Sequence, residues 1–244
     1  MRNLFFVVEY DGTDFSGWQR QPGVRTVQAC IEDALRELTG QAARVRGAGR
    51  TDAGVHAAGQ VFSVSLAARI PEGGLLRGLN SILPADVAVL DVREVPAGLD
   101  ARLSARGKVY VYTLWNHLVR SPRHARTAWH VRAPLDLEAM RSAAAVLTGE
   151  HDFRGFRAAD CDRRQTVRVI RRFEVERQGA LLRMEVEATA FLKNMVRILA
   201  GTLVHAGRGR VDSAHIARIF ETGDRSAAGP TAPPQGLTLF RVIY

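Results

Sequence analysis

The sequence contains little cysteine and no paired pattern of metal ligands. Its 244 residues include only Cys30 and Cys161, too few for a disulfide framework and without the paired spacing of a zinc site. The seven histidines are scattered, and no two of them lie four residues apart, as a pair on one helix face would. We therefore expect no metal site, and we expect both cysteines to be buried as small apolar residues.

Long apolar runs are also missing. No stretch approaches the roughly 18 to 20 apolar residues that cross a bilayer, and the run from Leu4 to Val8 soon meets Glu9 and Asp11. That run is shorter than the core of a signal peptide, so the sequence predicts a cytoplasmic protein with no membrane partner. With 46% hydrophobic residues, the chain can form one large domain or two smaller domains, each with its own core.

Lysine is nearly absent, yet the chain is basic. Arginine and lysine number 34 against 25 acidic residues, which leaves a net charge of +9, and the only lysines are Lys108 and Lys193. Positive charge attracts phosphate backbones, and arginine adds forked hydrogen bonds and a flat stacking surface. A GC-rich genome accounts equally well for the ratio of arginine to lysine, but not for the excess charge. We therefore predict a polyanionic partner such as RNA.

The hydrophobic pattern predicts one order of elements twice. In the first half it indicates strand, helix, strand, strand, helix and strand, at residues 4–10, 27–39, 43–49, 60–66, 71–82 and 87–95. The second set comprises strand 108–115, helix 136–147, strands 165–176 and 181–189, helices 192–206 and 213–221, and strand 237–243. This order is typical of ferredoxin-like domains. We predict an α+β fold with two ferredoxin-like (RRM-like) halves, 1–104 and 105–244, a mostly antiparallel sheet with helices on one face and a central cleft.

A glycine-rich stretch, RGAGRTDAGVHAAGQ at residues 46–60, surrounds one short polar segment. A phosphate-binding loop would need glycine where Arg44 stands and lysine where Arg50 stands. A dinucleotide-binding fingerprint would need a small residue in place of Asp52. Neither pattern fits, so the stretch is not predicted to be a nucleotide-binding loop.

Asp52 is the only acidic residue between Glu37 and Glu72, and Arg50 lies two positions before it. A neighbouring arginine favours the ionised carboxylate, which suits nucleophilic attack or proton abstraction. Aspartate also commonly accepts hydrogen bonds from backbone amides in turns, and the spacing alone leaves both roles open. We interpret the nearby His56 as structural.

Two further stretches carry candidate binding residues. In GKVYVYTLW, alternation places Tyr110 and Tyr112 on one strand face, where they are either a stacking platform for unpaired bases or part of the core. In FLKNMVRILAGTLVHAGRGR, Arg197 lies between apolar residues of a predicted helix. An arginine near apolar surface needs a carboxylate partner, and Asp52 is a candidate for it.

Seven segments together extend over nearly the whole chain: VEYDGTDFSGWQRQ, TVQACIEDAL, GAGRTDAGVHAAGQV, LDARLSARGKVYVYTLWN, HDFRGFRAAD, FLKNMVRILAGTLVHAGRG and APPQGLTLFRVIY. In all of them the chain resembles the tRNA pseudouridine synthase A (TruA) family. The most specific piece is GRTDAGVHA at residues 49–57, which matches the family's active-site motif without a departure.

The resemblance implies a function and a set of site residues. It implies the pseudouridine synthase fold, with Asp52 as the essential aspartate, Tyr110 stacked against the target base, Arg197 paired with Asp52, and Arg50 helping to flip the nucleotide. It also implies a homodimer that needs no cofactor or metal and that modifies uridines 38, 39 and 40 in the anticodon arm of tRNA.

Two other functions are compatible with the composition. A noncatalytic RNA-binding module of ferredoxin-like halves needs only base stacking and positive charge, and Asp52 is then a turn residue. A phosphate-binding metabolic enzyme would turn over a small molecule without RNA. The first binds RNA without forming a product and the second ignores RNA, so incubation with unmodified tRNA separates both from a synthase.

Overall fold

A computed structural model describes all 244 residues, from Met1 to Tyr244. It contains ten strands and five α-helices, and the chain divides into two compact units, residues 1–106 with 238–244 and residues 107–237. The strand pairing within each unit is mostly antiparallel, so the α+β class predicted from the sequence is confirmed. None of the helices is long and apolar enough to cross a membrane.

The first unit has the strand order of a ferredoxin-like domain. Its elements are β1 (Arg2–Tyr10), α1 (Val27–Thr39), β2 (Arg46–Gly47), β3 (His56–Leu66), α2 (Glu72–Ile82) and β4 (Val87–Val95), together with the last strand of the chain, β10 (Leu237–Ile243). The strands β4, β1 and β3 are neighbours in that order and antiparallel, and β2 pairs with β3. In addition, β10 pairs in parallel with β3 at Thr238 and Leu239.

Local hydrogen bonds mark both ends of α1. The Thr26 hydroxyl accepts a hydrogen bond from the Ala29 amide, 3.4 Å away, which caps the helix. Gly40 adopts the left-handed conformation, with φ of 70°, and its amide donates to the Arg36 carbonyl at 2.9 Å.

The predicted strand at 43–49 shortens to the two residues of β2. The reason lies at Val45, whose amide donates to the Glu32 carboxylate at 3.1 Å and whose carbonyl accepts from the Gln28 side chain at 3.3 Å. Because these two buried side chains of α1 satisfy the Val45 backbone, a strand partner is not required there.

One face of the sheet in the first unit is partly covered by chain segments outside its helices. Phe5 and Val7 of β1 pack with Val242 of β10 on a small cluster of buried residues: Ala48, Val61 and Ala101. The Ala101 amide donates to the Ser63 hydroxyl at 3.1 Å, which fixes the covering segment.

The second unit repeats much of the same plan. Its elements are β5 (Gly107–Asn116), β6 (Trp129–Val131), α3 (Leu137–Leu147), β7 (Gly149–Asp152), β8 (Val167–Gln178), β9 (Leu181–Ala188), α4 (Met195–Gly207) and α5 (Ser213–Thr222). The strands β5, β9, β8 and β7 are neighbours in that order and antiparallel, and β6 pairs in parallel with β5. The short strands β6 and β7 were not predicted, because three or four residues show no clear alternation.

Candidate functional site

The loop at residues 48–55, between β2 and β3, holds Asp52 against the segment at residues 12–18. The Trp18 amide donates to the Thr51 carbonyl at 3.1 Å, and the Gly54 amide donates to the Phe15 carbonyl at 3.3 Å. Within the loop, the Val55 amide closes a turn onto the Asp52 carbonyl at 3.1 Å. The backbone on both sides of Asp52 is therefore fixed by hydrogen bonds.

Glycines outside this loop allow its close approach to residues 12–18. A Cβ atom on Gly12 would lie 2.0 Å from the Val55 carbonyl oxygen, and one on Gly17 would lie 2.7 Å from the Thr51 carbonyl oxygen. Gly17 also has a φ of 87°, which other residues rarely adopt. Gly12 and Gly17 therefore allow close contact between two backbone segments.

Buried polar side chains hold the residues on either side of Asp52. The Tyr10 and Thr51 hydroxyls lie 2.7 Å apart in a hydrogen bond, and the Gln60 amide donates to the Gly49 carbonyl at 2.9 Å. Burial raises the pKa of the Tyr10 phenol far above its usual value, so this hydroxyl stays protonated. Tyr10, Thr51 and Gln60 were missed by sequence reasoning, because nothing in the pattern links β1 and β3 to the glycine-rich stretch.

The side chains inside the loop differ in exposure. Asp52 is half-buried, while Arg50 is exposed and makes no hydrogen bond or ion pair. His56 is buried, and its Nδ1 accepts a hydrogen bond from the Gly12 amide at 3.1 Å. An Asp11 carboxylate oxygen lies 3.1 Å from the same nitrogen. This arrangement favours the structural interpretation of His56.

In the second unit, both faces of β5 are buried. Tyr112 is fully buried, its hydroxyl donates to the Pro233 carbonyl at 2.7 Å, and Trp129 meets its ring edge-on. It is a core residue, which excludes it from an open stacking platform. Tyr110 retains 7% exposure and makes an edge-on contact with Phe191, with ring centroids 5.1 Å apart.

Arg197 lies in the first turn of α4 and is half-buried. Its Nε donates to the Ala232 carbonyl at 2.7 Å, and its Nη1 donates to the Asn194 side-chain oxygen at 3.1 Å. The apolar stripe of this helix, Met195, Leu199 and Leu203, is fully buried. The positive charge of Arg197 also acts on the pKa of Tyr112, lowering it against the larger opposite effect of burial. Arg197 therefore lies close to the tyrosine that was not chosen from the sequence.

Comparison with known proteins shows which family the chain belongs to. A family model described as tRNA pseudouridine synthase matches residues 6–102 and 143–244. The chain belongs to this family. The tRNA pseudouridine synthase A of Myxococcus xanthus is 49% identical over 245 residues, covering 100% of this chain and 92% of the relative. Proteins of the same name from Geotalea daltonii and a Thermoanaerobacter species are 44% and 41% identical, and each alignment covers both chains completely. As a member of the tRNA pseudouridine synthases, the protein is an isomerase.

One exposed segment of this synthase has the charge that an RNA backbone attracts. The basic loop, residues 117–127 after β5, contains three arginines and no acidic residue. Trp115 orders it, because its indole donates to the Val119 carbonyl at 2.8 Å and its ring stacks on His124. Arg120 and Arg123 are exposed and make no ion pair.

Arginines on the sheet of the second unit differ from those of the basic loop. Arg172 of β8 donates to Glu174 at 2.8 Å and also pairs with Glu185. Its charge is therefore largely balanced within the protein, whereas the charges of Arg120 and Arg123 are available to phosphate.

In this structure, no three histidine, cysteine or acidic side chains lie close enough together to hold a metal ion. Cys161 is buried as predicted, but Cys30 is only half-buried. Cys30 lies beside the buried stripe of α1 that contains Val27, Ile31 and Leu35, which explains the difference.

Proposed function

We propose that this protein converts uridines 38, 39 and 40 in the anticodon arm of tRNA to pseudouridine, with Asp52 as the essential carboxylate. It acts as a cytoplasmic homodimer without a cofactor. We assign its domains as the halves 1–104 and 105–244, and the last strand of the second half, β10, belongs to the first compact unit. The observation that carries the proposal is the fixation of the Asp52 loop from both sides in a member of the synthase family. An aspartate that served only to close a turn would not need hydrogen bonds with β1, β3 and the segment at residues 12–18 to fix the loop around it.

The reaction is an isomerisation that balances without an oxidant or an energy source. The bond from ribose C1′ to base N1 breaks, the base turns, and C1′ joins C5. The C5 proton leaves and N1 gains a proton. One carboxylate can serve by attacking the ribose, by adding to the base, or by removing a ribose proton to give a glycal. All three routes need an ionised Asp52 close to an extruded nucleotide.

Extruding a nucleotide from the stack costs a few kcal/mol. We assign three side chains to this step and to holding the flipped base and the Asp52 carboxylate. Arg50 is exposed beside Asp52 and helps to flip the nucleotide. Tyr110, at the residual opening of a buried strand, stacks against the base. Arg197 holds the Asp52 carboxylate by pairing with it.

Release of tritium from tRNA labelled at C5 of uridine tests the proposal, because the C5 hydrogen is lost only when the new carbon bond forms. We expect release from the three anticodon-arm positions and none from tRNA with cytidine at those positions. Tight binding without release would support the noncatalytic RNA-binding module. Neither binding nor release would support a metabolic enzyme.

The basic loop predicts how tRNA affinity depends on salt. Arg123→Ala is expected to weaken binding and to reduce the slope of log affinity against log salt by about 1, since one phosphate contact is lost. The control is Arg172→Ala, which removes the same charge from a side chain already paired with glutamates. Filter binding at several salt concentrations measures both slopes, and equal slopes for the two variants would show that the loop does not contact RNA.

Substitutions of Tyr110 separate stacking from hydroxyl chemistry. Tyr110→Phe keeps the ring and its contact with Phe191, so tRNA affinity should persist while turnover slows if the hydroxyl orients a reacting group. Tyr110→Ala should lose the stacking as well, worth about 1 to 3 kcal/mol per base. Affinity and single-turnover rate are measured for each variant. If both variants kept the affinity and the rate of the wild type, Tyr110 would be a core residue without a role in binding or catalysis.

A further inference from the structure

Asn194 has an unusual backbone. It is the only residue other than glycine with a positive φ, 59°, and it directly precedes α4. This left-handed conformation also explains why the helix begins at Met195 and not at the predicted Leu192. Asparagine tolerates the conformation better than most residues but is still strained in it.

The Asn194 side chain does not do what asparagine usually does at a helix start. Asparagine is a favoured N-cap because its side-chain oxygen accepts from a backbone amide of the first turn, yet no such bond is present here. The oxygen accepts from Arg197 Nη1 instead. A stabilising cap is thus given up for a contact with one guanidinium.

The opposite side of Arg197 is held by the backbone. Its Nε donates to the Ala232 carbonyl, and the Ala232 amide donates back to the Arg197 carbonyl at 3.1 Å. The segment containing Ala232 lies directly on α4, because a Cβ atom on Gly201 would lie 1.9 Å from the Pro230 carbonyl oxygen. The backbone fixes one side of the guanidinium, and the Asn194 contact adds a second constraint on how it is turned.

We propose that Asn194 is a positioning residue, and that its strained backbone persists because it directs the side-chain oxygen at Arg197. This rests on the proposed role of Arg197 in the reaction. If the conformation served only the turn, glycine would serve at least as well, since glycine adopts positive φ without strain. The choice of asparagine over glycine is therefore the testable feature.

Two variants of Asn194 separate backbone from side chain. Asn194→Gly keeps the turn and removes the acceptor, so we expect kcat to fall about tenfold or more while KM for tRNA and the melting temperature stay close to wild type. Asn194→Asp keeps an acceptor oxygen at the same place and should recover most of the loss. In an Arg197→Ala background, Asn194→Gly should add nothing.

A structural asparagine provides the control. Asn80 in α2 makes two hydrogen bonds, both 2.8 Å long, with the Val89 backbone. Asn80→Gly should lower the melting temperature and leave kcat unchanged, the reverse of the expected Asn194→Gly result. A glycine variant of Asn194 with wild-type kcat would overturn the proposal.

A second measurement does not depend on catalysis. The order parameter of the Arg197 Nε–H group, from ¹⁵N relaxation, should fall in Asn194→Gly and recover in Asn194→Asp. An unchanged order parameter would also overturn the positioning role. If wild-type protein released no tritium, the proposed function would fail, and this measurement would still decide whether Asn194 orders Arg197.

Discussion

Asp52→Asn is expected to leave a folded protein that binds tRNA and forms no detectable pseudouridine. Asparagine keeps the size of the side chain and removes the negative charge. A structural Asp52 would tolerate this change, whereas a nucleophile or a base would not. We expect the single-turnover rate to fall by a factor on the order of 10⁴ or more, as for loss of a nucleophile.

The loop contacts make this result easy to interpret. Thr51 is held by the Tyr10 hydroxyl and the Trp18 amide, and neither bond involves the Asp52 side chain. The melting temperature of Asp52→Asn should therefore stay close to wild type. The control is Glu37→Gln, which removes one negative charge from the exposed face of α1 and should keep full activity. Turnover by Asp52→Asn within about tenfold of wild type would leave Asp52 as a turn residue.

Most helices and strands could be predicted because their signals are local. Thr26 and Gly40 mark the ends of α1 through short-range hydrogen bonds, and β4 and β10 occur at the predicted residues. The errors have causes that lie outside the local pattern. Val45 has its backbone satisfied by side chains of another element, and α4 begins late because of a left-handed asparagine.

The candidate site divides in the same way. Asp52 could be named as a candidate from the sequence because a lone acid in a glycine-rich stretch is a local feature, although its catalytic role came from the family resemblance. Arg197 could be named because a charge within an apolar helix is also a local feature. The residues that support them are distant in sequence: Tyr10 and Gln60 reach the loop from two strands, and Ala232 meets Arg197 from 35 positions away. Alternation alone also made Tyr112 equivalent to Tyr110, although burial and the bond to Pro233 make Tyr112 a core residue.

Arg197→Ala is expected to reduce the single-turnover rate by about 10²-fold or more, beyond any effect of lost stability. The proposed pairing supplies both the positive charge and the fixed placement of the Asp52 carboxylate, and misplacement of a reacting group by about 1 Å can cost 10²-fold. Some stability will also be lost, since the buried Ala232 carbonyl loses its donor at a cost of about 1 to 3 kcal/mol. Rates are therefore measured well below the melting temperature of the variant.

Arg197→Lys distinguishes charge from geometry. Lysine keeps the positive charge, but a single ammonium group cannot reproduce the planar fork that reaches Ala232 and Asn194 from separate nitrogens and that is proposed to hold the Asp52 carboxylate as well. We expect a partial recovery, with a rate between those of Arg197→Ala and wild type. A fully active lysine variant would show that charge alone matters and would remove the reason for the strained Asn194. Full activity of the alanine variant would exclude Arg197 from the mechanism, and Asp52 would then depend only on the backbone contacts of its own loop.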